Sequence, residues 1–253
     1  MYFYPMTDFG LIETIRVSNG YAMFLSDHTN RLIQSLQLLK INIDSETIFR
    51  KISNYIQQEC KIQDSQNIRL RIQVKINETR IVEWLVSSQK LYTSTFEINK
   101  IPLKIGFYDE TYKEQNIHSN LKSTDRLIYD KAKKFALENS FDDVLVFNSE
   151  KVLSDAIIYN VFIVKENQIY TSRIKDAPID GVLRQFLLKH IRSFTIIEKA
   201  LYKEEIEQAD EIFLTNAVRG IQTVGQIGDK KLDNRITLNI YKEFISLLDK
   251  TMN

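Results

Sequence analysis

The sequence predicts an α+β protein of two domains, each a sheet with packed helices. Three observations predict it. In the first hundred residues, two runs of helical spacing sit among strand-like runs. Arg69-Leu70-Arg71-Ile72-Gln73-Val74 alternates strictly between polar and apolar residues, as a half-buried strand does. Near the middle, Asp109 to Ser119 is polar and lacks any periodicity, which marks a connection. The expected division is therefore a smaller N-terminal domain over 1–108, an interdomain loop over 109–119 and a larger C-terminal domain over 120–253.

Residues 11–17 predict a strand, and 21–25 its hairpin partner across an Asn19-Gly20 turn. Asp27 is the expected cap of a helix that carries Leu32, Leu36 and Leu39. A second helix follows Asp44, with Ile48, Ile52, Tyr55 and Ile56 on one face. Strands are expected at Arg69–Val74, Arg80–Val86, Tyr92–Ile98 and 101–107. Beyond the connection, a helix is expected from Thr124 to Asn139, then strands at 143–147, 158–164 and 168–172. A helix starting near Asp180-Gly181, strands at 194–199 and 211–214 with a short acidic helix between them, and a final helix bearing Ile240, Phe244, Leu247 and Leu248 complete the chain.

Composition narrows the class. The 253 residues carry a formal net charge of +1, which gives no reason to expect a nucleic-acid partner. Cys60 is the only cysteine, so an intrachain disulfide and a cysteine-rich metal site are excluded, and a cytoplasmic location is expected. His28, His118 and His190 are too scattered for a zinc site, and no metal is expected. The first residues lack a basic region and an apolar run, and no apolar stretch reaches membrane-spanning length.

Five stretches hold residues able to do chemistry. Arg31, in Asp27-His28-Thr29-Asn30-Arg31-Leu32, is expected in the first turn of a helix, where a guanidinium offers a planar fork to a phosphate. Lys122 lies in Asn120-Leu121-Lys122-Ser123-Thr124-Asp125-Arg126-Leu127, at the expected start of a helix. Asp155 interrupts the apolar run Val152 to Phe162 and is either a partner for a cationic ring nitrogen or a loop aspartate before a strand. Gly181, opening Gly181-Val182-Leu183-Arg184, lets backbone N–H groups approach a phosphate. Leu214 to Gly220 leaves a short strand with small and polar residues. Each stretch alone also reads as ordinary surface or turn.

Taken in order, these stretches resemble the class IV aminotransferases, the pyridoxal-phosphate enzymes of fold type IV. The resemblance runs from about Phe9 to Val224. It rests on Glu13-Thr14-Ile15-Arg16-Val17, His28 with Arg31-Leu32, Leu121-Lys122 with Arg126-Leu127, Asn160-Val161-Phe162, Gly181 with Arg184, and Thr215-Asn216-Ala217. It implies pyridoxal 5′-phosphate as cofactor, with Lys122 as Schiff-base lysine and catalytic residue and Arg31 on the phosphate. Val182 and Leu183 fall on the backbone phosphate donors, Asn216 and Ala217 on a second phosphate loop, and Asp155 where the family has glutamate. It also implies a D-amino acid aminotransferase-like fold, a homodimer, and a cofactor held at the junction of the two domains.

The chain departs from the family at Asp155, one methylene short of glutamate, and at Leu183, where transaminases often have threonine. The segment before Phe9-Gly10 is also shorter than usual. Leu-Lys-x-x-x-Arg-Leu, Gly-Val-Leu-Arg-Gln-Phe and Asn216-Ala217 are most similar to 4-amino-4-deoxychorismate lyases. The resemblance therefore implies a lyase acting on a small-molecule amine and releasing 4-aminobenzoate and pyruvate. An aminotransferase for branched-chain or D-amino acids, and a non-catalytic scaffold retaining the fold, are the alternatives. Arg16, Arg71 and Arg219 are candidates for gripping substrate carboxylates.

Overall fold

The computed structural model describes residues 9–77 and 82–252. The chain packs as two compact units. One runs to Thr95 and takes in Leu121–Asp125; the other comprises Phe96–Asn120 and the chain from Arg126 onward. The first unit is thus not one contiguous segment, and its main boundary falls earlier than the polar stretch at 109–119 suggests.

In the first unit, β1 (Gly10–Ser18) turns through Asn19 and Gly20 into β2 (Tyr21–Ala22). Both turn residues have positive φ, 51° and 82°, the geometry for which Asn-Gly is suited. The hairpin partner is shorter than expected because Phe24 turns left-handed at φ 56° and starts α1 (Leu25–Leu38). Phe24, not Asp27, is the cap residue, and Asp27 stands exposed in the first turn. After it come α2 (Ser45–Ile62), β3 (Ile68–Ile76) and β4 (Val82–Lys90). The expected start of β4 at Arg80 lies outside the described residues. Asp44 caps α2 by accepting the N–H of Thr47 at 2.8 Å.

The sheet order is β2-β1-β3-β4, antiparallel throughout. Leu11, Ile15 and Val17 of β1 register with Val74, Leu70 and Ile68 of β3. These residues pack with Leu32 and Leu36 of α1 and Ile48, Ile52 and Ile56 of α2 in one apolar core. The opposite sheet face carries Ile12, Thr14, Arg16, Arg69, Arg71, Gln73 and Lys75. No strand forms at Tyr92–Ile98. Arg16 instead holds that segment, donating to the carbonyls of Thr93 and Thr95, each at 2.6 Å.

The second unit contains β5 (Leu103–Lys113), α3 (Leu127–Glu138), β6 (Asp143–Asn148), β7 (Leu153–Ala156), β8 (Asn160–Lys165), β9 (Gln168–Ser172), α4 (Val182–His190), β10 (Ile196–Lys199), α5 (Lys203–Glu207), β11 (Glu211–Asn216), β12 (Gly220–Ile227), β13 (Lys230–Lys231) and α6 (Arg235–Met252). The strands form one sheet in the order β10-β9-β8-β11-β12-β5-β6-β7, with β13 paired to β12. β5 continues through Asp109–Lys113, which the sequence suggests is irregular. The register against β6 shifts between Tyr108 and Lys113, and that irregularity erases the alternation. α3 begins three residues later than expected, and β8 starts at Asn160 because residues 157–159 form a turn.

β7, β12 and β13 have no counterpart among the expected strands. Ser154 and Asp155 break the apolar pattern of β7, yet both are buried and bonded: Ser154 Oγ donates to the Asp176 carbonyl at 2.7 Å. The glycines and glutamines of β12 look like loop residues. α4 is pinned by the fully buried Arg184, which donates to the Ser172 carbonyl at 2.7 Å and to Glu198. Glu211 accepts the N–H groups of Ile236 and Thr237 at the start of α6. No helix of the described residues is long and apolar enough to cross a membrane. Replacing Asp44 by Ala removes the α2 cap, and urea unfolding is expected to show a lower midpoint with an unchanged m-value.

Candidate active site

Lys122 does not sit at a helix start. It lies in an extended segment bonded to β1, five residues before α3. The Ile12 N–H donates to the Lys122 carbonyl at 2.7 Å, and the Thr124 N–H to the Gly10 carbonyl at 2.8 Å. The Gly10 N–H donates to Thr124 Oγ1 at 2.9 Å. Gly10 is needed here, since a Cβ would stand 2.9 Å from the Val74 carbonyl oxygen. The bridge between Leu11 and Ser123 sets the register, so Lys122 falls opposite Ile12. The lysine itself is half-buried.

Arg31 lies in the second turn of α1, not the first. Its Nε donates to Glu13 Oε1 at 2.9 Å and its Nη2 to Glu13 Oε2 at 2.5 Å. The buried His28 places Nδ1 2.6 Å from the same Oε2. Burial alone would push the Glu13 carboxyl up. The Arg31 guanidinium and the His28 hydrogen bond outweigh it and hold the carboxyl at about 2. Burial lowers His28 below its usual value despite the pull of Glu13, and the charges of Arg31 and Lys122 lower it further. An ionised carboxylate only accepts, so Nδ1 of neutral His28 carries the proton. Its Nε2 is buried with no hydrogen-bond partner among the described residues. In this unit, then, Lys122 and Arg31 both direct positive charge at His28.

The second unit assembles the other candidates around Asn160. Asp155 is a buried strand residue of β7, not a loop aspartate. Its carboxylate accepts Tyr129 OH at 2.7 Å, Lys113 Nζ at 3.2 Å, Asn160 Nδ2 at 3.0 Å and the Ile179 N–H at 3.0 Å. A carboxylate has about four acceptor sites, so a further N–H must share one of these or replace it. Asn160 also donates to the Ile179 carbonyl at 2.8 Å. Its Oδ1 lies 1.8 Å from where a Gly181 Cβ would stand, so that contact requires glycine. Gly181 is the N-cap of α4, and the Val182 and Leu183 N–H groups have no intrahelical acceptor.

Asn216 ends β11. Its Oδ1 accepts the N–H groups of Val218 and Arg219 at 3.0 and 2.8 Å, and its Nδ2 reaches the Ile158 carbonyl at 3.3 Å. Ala217 sits half-buried inside that turn. Asp155, the start of α4 and the Asn216–Arg219 loop are thereby joined through Asn160 and the Ile157–Tyr159 turn.

The three candidate arginines differ. Arg16 is buried and occupied by the 93–95 segment. Arg71 is half-buried on β3, registered with Thr14 and Ser87. Arg219 is exposed and donates to Tyr159 OH at 3.0 Å. Sequence reasoning assigned no role to Glu13, Lys113, Tyr129, Asn160 or Asp143. Glu13, His28 and Asn160 stood within recognised motifs and Asp143 opens an expected strand, but Lys113 lies in a polar stretch that carries no signal of burial.

The family model described as amino-transferase class IV matches residues 10–227. The chain belongs to the class IV aminotransferase family. These are enzymes that use pyridoxal 5′-phosphate. Among the relatives, the Rickettsia bellii protein named "Probable branched-chain-amino-acid aminotransferase" is 24% identical over 92% of this chain and 85% of its own length. Two solved structures share the fold. One is the Legionella pneumophila protein named "Putative 4-amino-4-deoxychorismate lyase", with TM-score 0.83 and 24% identity over 95% of this chain and 90% of that one. The other is the branched-chain amino acid aminotransferase of Thermobaculum terrenum in its pyridoxal-phosphate form, with TM-score 0.81 and 18% identity over 93% and 84%.

The donor set fits the family's cofactor. Taken unit by unit, the first offers a half-buried amine and an arginine held by a buried carboxylate, and the second offers helix-start amides without an intrahelical acceptor and a buried aspartate; these are the donor types that an aldehyde, a phosphate and a ring nitrogen need. Glu13 gives a test of the arginine clamp. Its folded-state value is depressed, so its contribution is complete above the unfolded value near 4.5 and is lost as pH falls toward 2. Glu13→Gln is expected to cost about 3 kcal/mol at pH 7, from 1.36 kcal/mol per pKa unit. The difference from wild type should shrink steadily below pH 4.5 in urea unfolding.

Proposed function

We propose that the chain is a cytoplasmic, homodimeric pyridoxal-phosphate lyase. It converts 4-amino-4-deoxychorismate to 4-aminobenzoate and pyruvate, a step of folate synthesis. The observation that carries this reading is the sheet face that Lys122 shares by register. Lys122 stands opposite Ile12, which pairs with Gln73. On that face β3 presents Arg69, Arg71 and Lys75 at alternate positions. Opposite them β4 offers Gln89, Ser87 and Glu83. The amine substrate of the lyase carries two carboxylates, and three cations along one strand of that face suit it. A branched-chain amino acid, with one carboxylate and an apolar side chain, has less use for it. Of the candidate arginines, Arg71 suits this role by its place on that face, registered with Thr14 and Ser87.

In this reading Lys122 holds the cofactor. Arg31, the Val182 and Leu183 amides and the Asn216–Ala217 loop would hold its phosphate, and Asp155 would pair with its ring nitrogen. When bound, the cofactor supplies an electron sink for the carbon bearing the substrate nitrogen. Lys122, displaced by the substrate amine, removes the proton from that carbon. Asp155, fixed by Lys113, Tyr129, Asn160 and the Ile179 amide, supplies the negative charge that keeps the ring nitrogen protonated. Loss of pyruvate from the ring ether then leaves an aromatic product. An aminotransferase for branched-chain substrates is the second reading, and the name of the Rickettsia relative favours it. It shares proton removal by Lys122 and differs in where that proton goes next.

The test is an absorption spectrum of purified wild type and Lys122→Ala, before and after borohydride, followed by assays of both reactions. The expected result is a visible band in wild type that borohydride bleaches, absent from the variant. 4-Aminobenzoate formation should fall by about 10³-fold in Lys122→Ala. A band with transamination and no 4-aminobenzoate replaces the lyase by the second reading. No band after adding pyridoxal phosphate leaves a scaffold that retains the fold.

A further inference from the structure

Asp143 opens β6 and is 3% exposed. Its Oδ1 accepts the N–H of Val144 at 2.7 Å and that of Ile157 at 2.8 Å. The second bond fixes the turn that joins β7 to β8, with Asp155 just before it and Asn160 just after. Three further groups hold the same turn. Arg126 donates to the Ile157 carbonyl at 3.2 Å, Asn216 to the Ile158 carbonyl at 3.3 Å and Arg219 to Tyr159 OH at 3.0 Å. The last two belong to the Asn216–Arg219 loop. That loop therefore rests on the Ile157–Tyr159 turn, and the turn rests on Asp143.

We propose that Asp143 is a positioning residue for the Asn216–Arg219 loop, acting through the Ile157–Tyr159 turn and through its charge on Arg219, and that it tunes the grip on the phosphate of pyridoxal phosphate. This rests on the reading of that loop as a phosphate holder. The charge matters beyond the hydrogen bonds. An asparagine amide would accept the same two N–H groups without the cost of burying an ionised group.

Burial pushes the Asp143 carboxyl up to about 7, against the Ile157 and Val144 hydrogen bonds and the charge of Arg219. The charged and titratable groups that face it are Arg219, Asp142 and Tyr159, with Arg126 on the same turn. The folded chain binds this proton more tightly than the unfolded chain does. Asp143 therefore subtracts stability as pH rises from about 4 to about 7. In return, the ionised form draws Arg219 onto the turn. Above pH 7 the loop is held by charge and hydrogen bonds together, below it by hydrogen bonds alone.

The experiment is a titration of wild type, Asp143→Asn and Asp143→Ala with pyridoxal phosphate at pH 6 and pH 8.5. Each apoprotein is also melted with and without inorganic phosphate. Asp143→Ala is expected to raise Kd about tenfold at pH 6, the worth of a lost buried acceptor, and by about a further three- to tenfold at pH 8.5, where the charge is lost as well. Asp143→Asn is expected to match wild type at pH 6, where Asp143 is protonated, and to bind about three- to tenfold more weakly at pH 8.5. The stabilisation of the apoproteins by inorganic phosphate should fall in the same order. Cooperative melting of the near-isosteric Asn variant shows that it folds. Wild type and Asp143→Asn with equal affinity at pH 8.5 overturn the charge on Arg219 as a route, and wild type and Asp143→Ala with equal affinity overturn the positioning role altogether, both leaving the cofactor assignment intact. A wild type that binds no pyridoxal phosphate overturns the cofactor assignment and this role with it.

Discussion

Two backbone hydrogen bonds, from Ile12 to Lys122 and from Thr124 to Gly10, hold the segment that carries Lys122. With the Thr124 hydroxyl they tie residues 122–124 to residues 10–12 across more than a hundred residues of chain. A backbone tether places a side chain by register alone, independently of rotamers further away. It sets Lys122 on the first strand of a sheet whose other face is packed by two helices. It also sets the lysine close enough to His28 for its charge to be felt there, alongside that of Arg31. If the tether slipped by one residue, Ser123 would take the place of the lysine.

Three buried carboxylates show how differently one chain treats the same group. Glu13 has a cation and a histidine on it and stays ionised far into acid. Asp155 is enclosed by an ammonium, a phenol, an amide side chain and a backbone N–H. Asp143 has two backbone N–H groups on a single oxygen, and burial dominates it. Partner chemistry, not depth, separates Glu13 from Asp143, since both are 3% exposed.

The residues that repeat locally were legible before the structure. β3 alternates without a break, α2 has its cap and its apolar stripe, and Asn19-Gly20 turns as its sequence predicts. The motif residues Lys122, Arg31, Gly181 and Asn216 stand out in the sequence because they occur in recognisable order. What was not legible depends on distant partners. β7 reads as loop because Ser154 and Asp155 are polar, and their burial is explained only by the Asp176 carbonyl, Lys113 and Tyr129. The Tyr92–Ile98 stretch looks like a strand, but Arg16 claims its carbonyls. Lys113 is hidden by a register shift in β5, and nothing local marks Asp143 as buried.

The early unit reaches forward for residues 121–125, after the chain has already contributed 96–120 to the later one. On the ribosome, β1 therefore emerges with the backbone groups of Gly10 and Ile12 unpaired along one border. It waits for over a hundred residues before the strand-like segment that covers them appears. An uncovered border of that kind invites pairing with neighbouring chains. The segment that carries Lys122 is also the one that seals this border, so the placing of that lysine and the guarding of β1 against aggregation are one event.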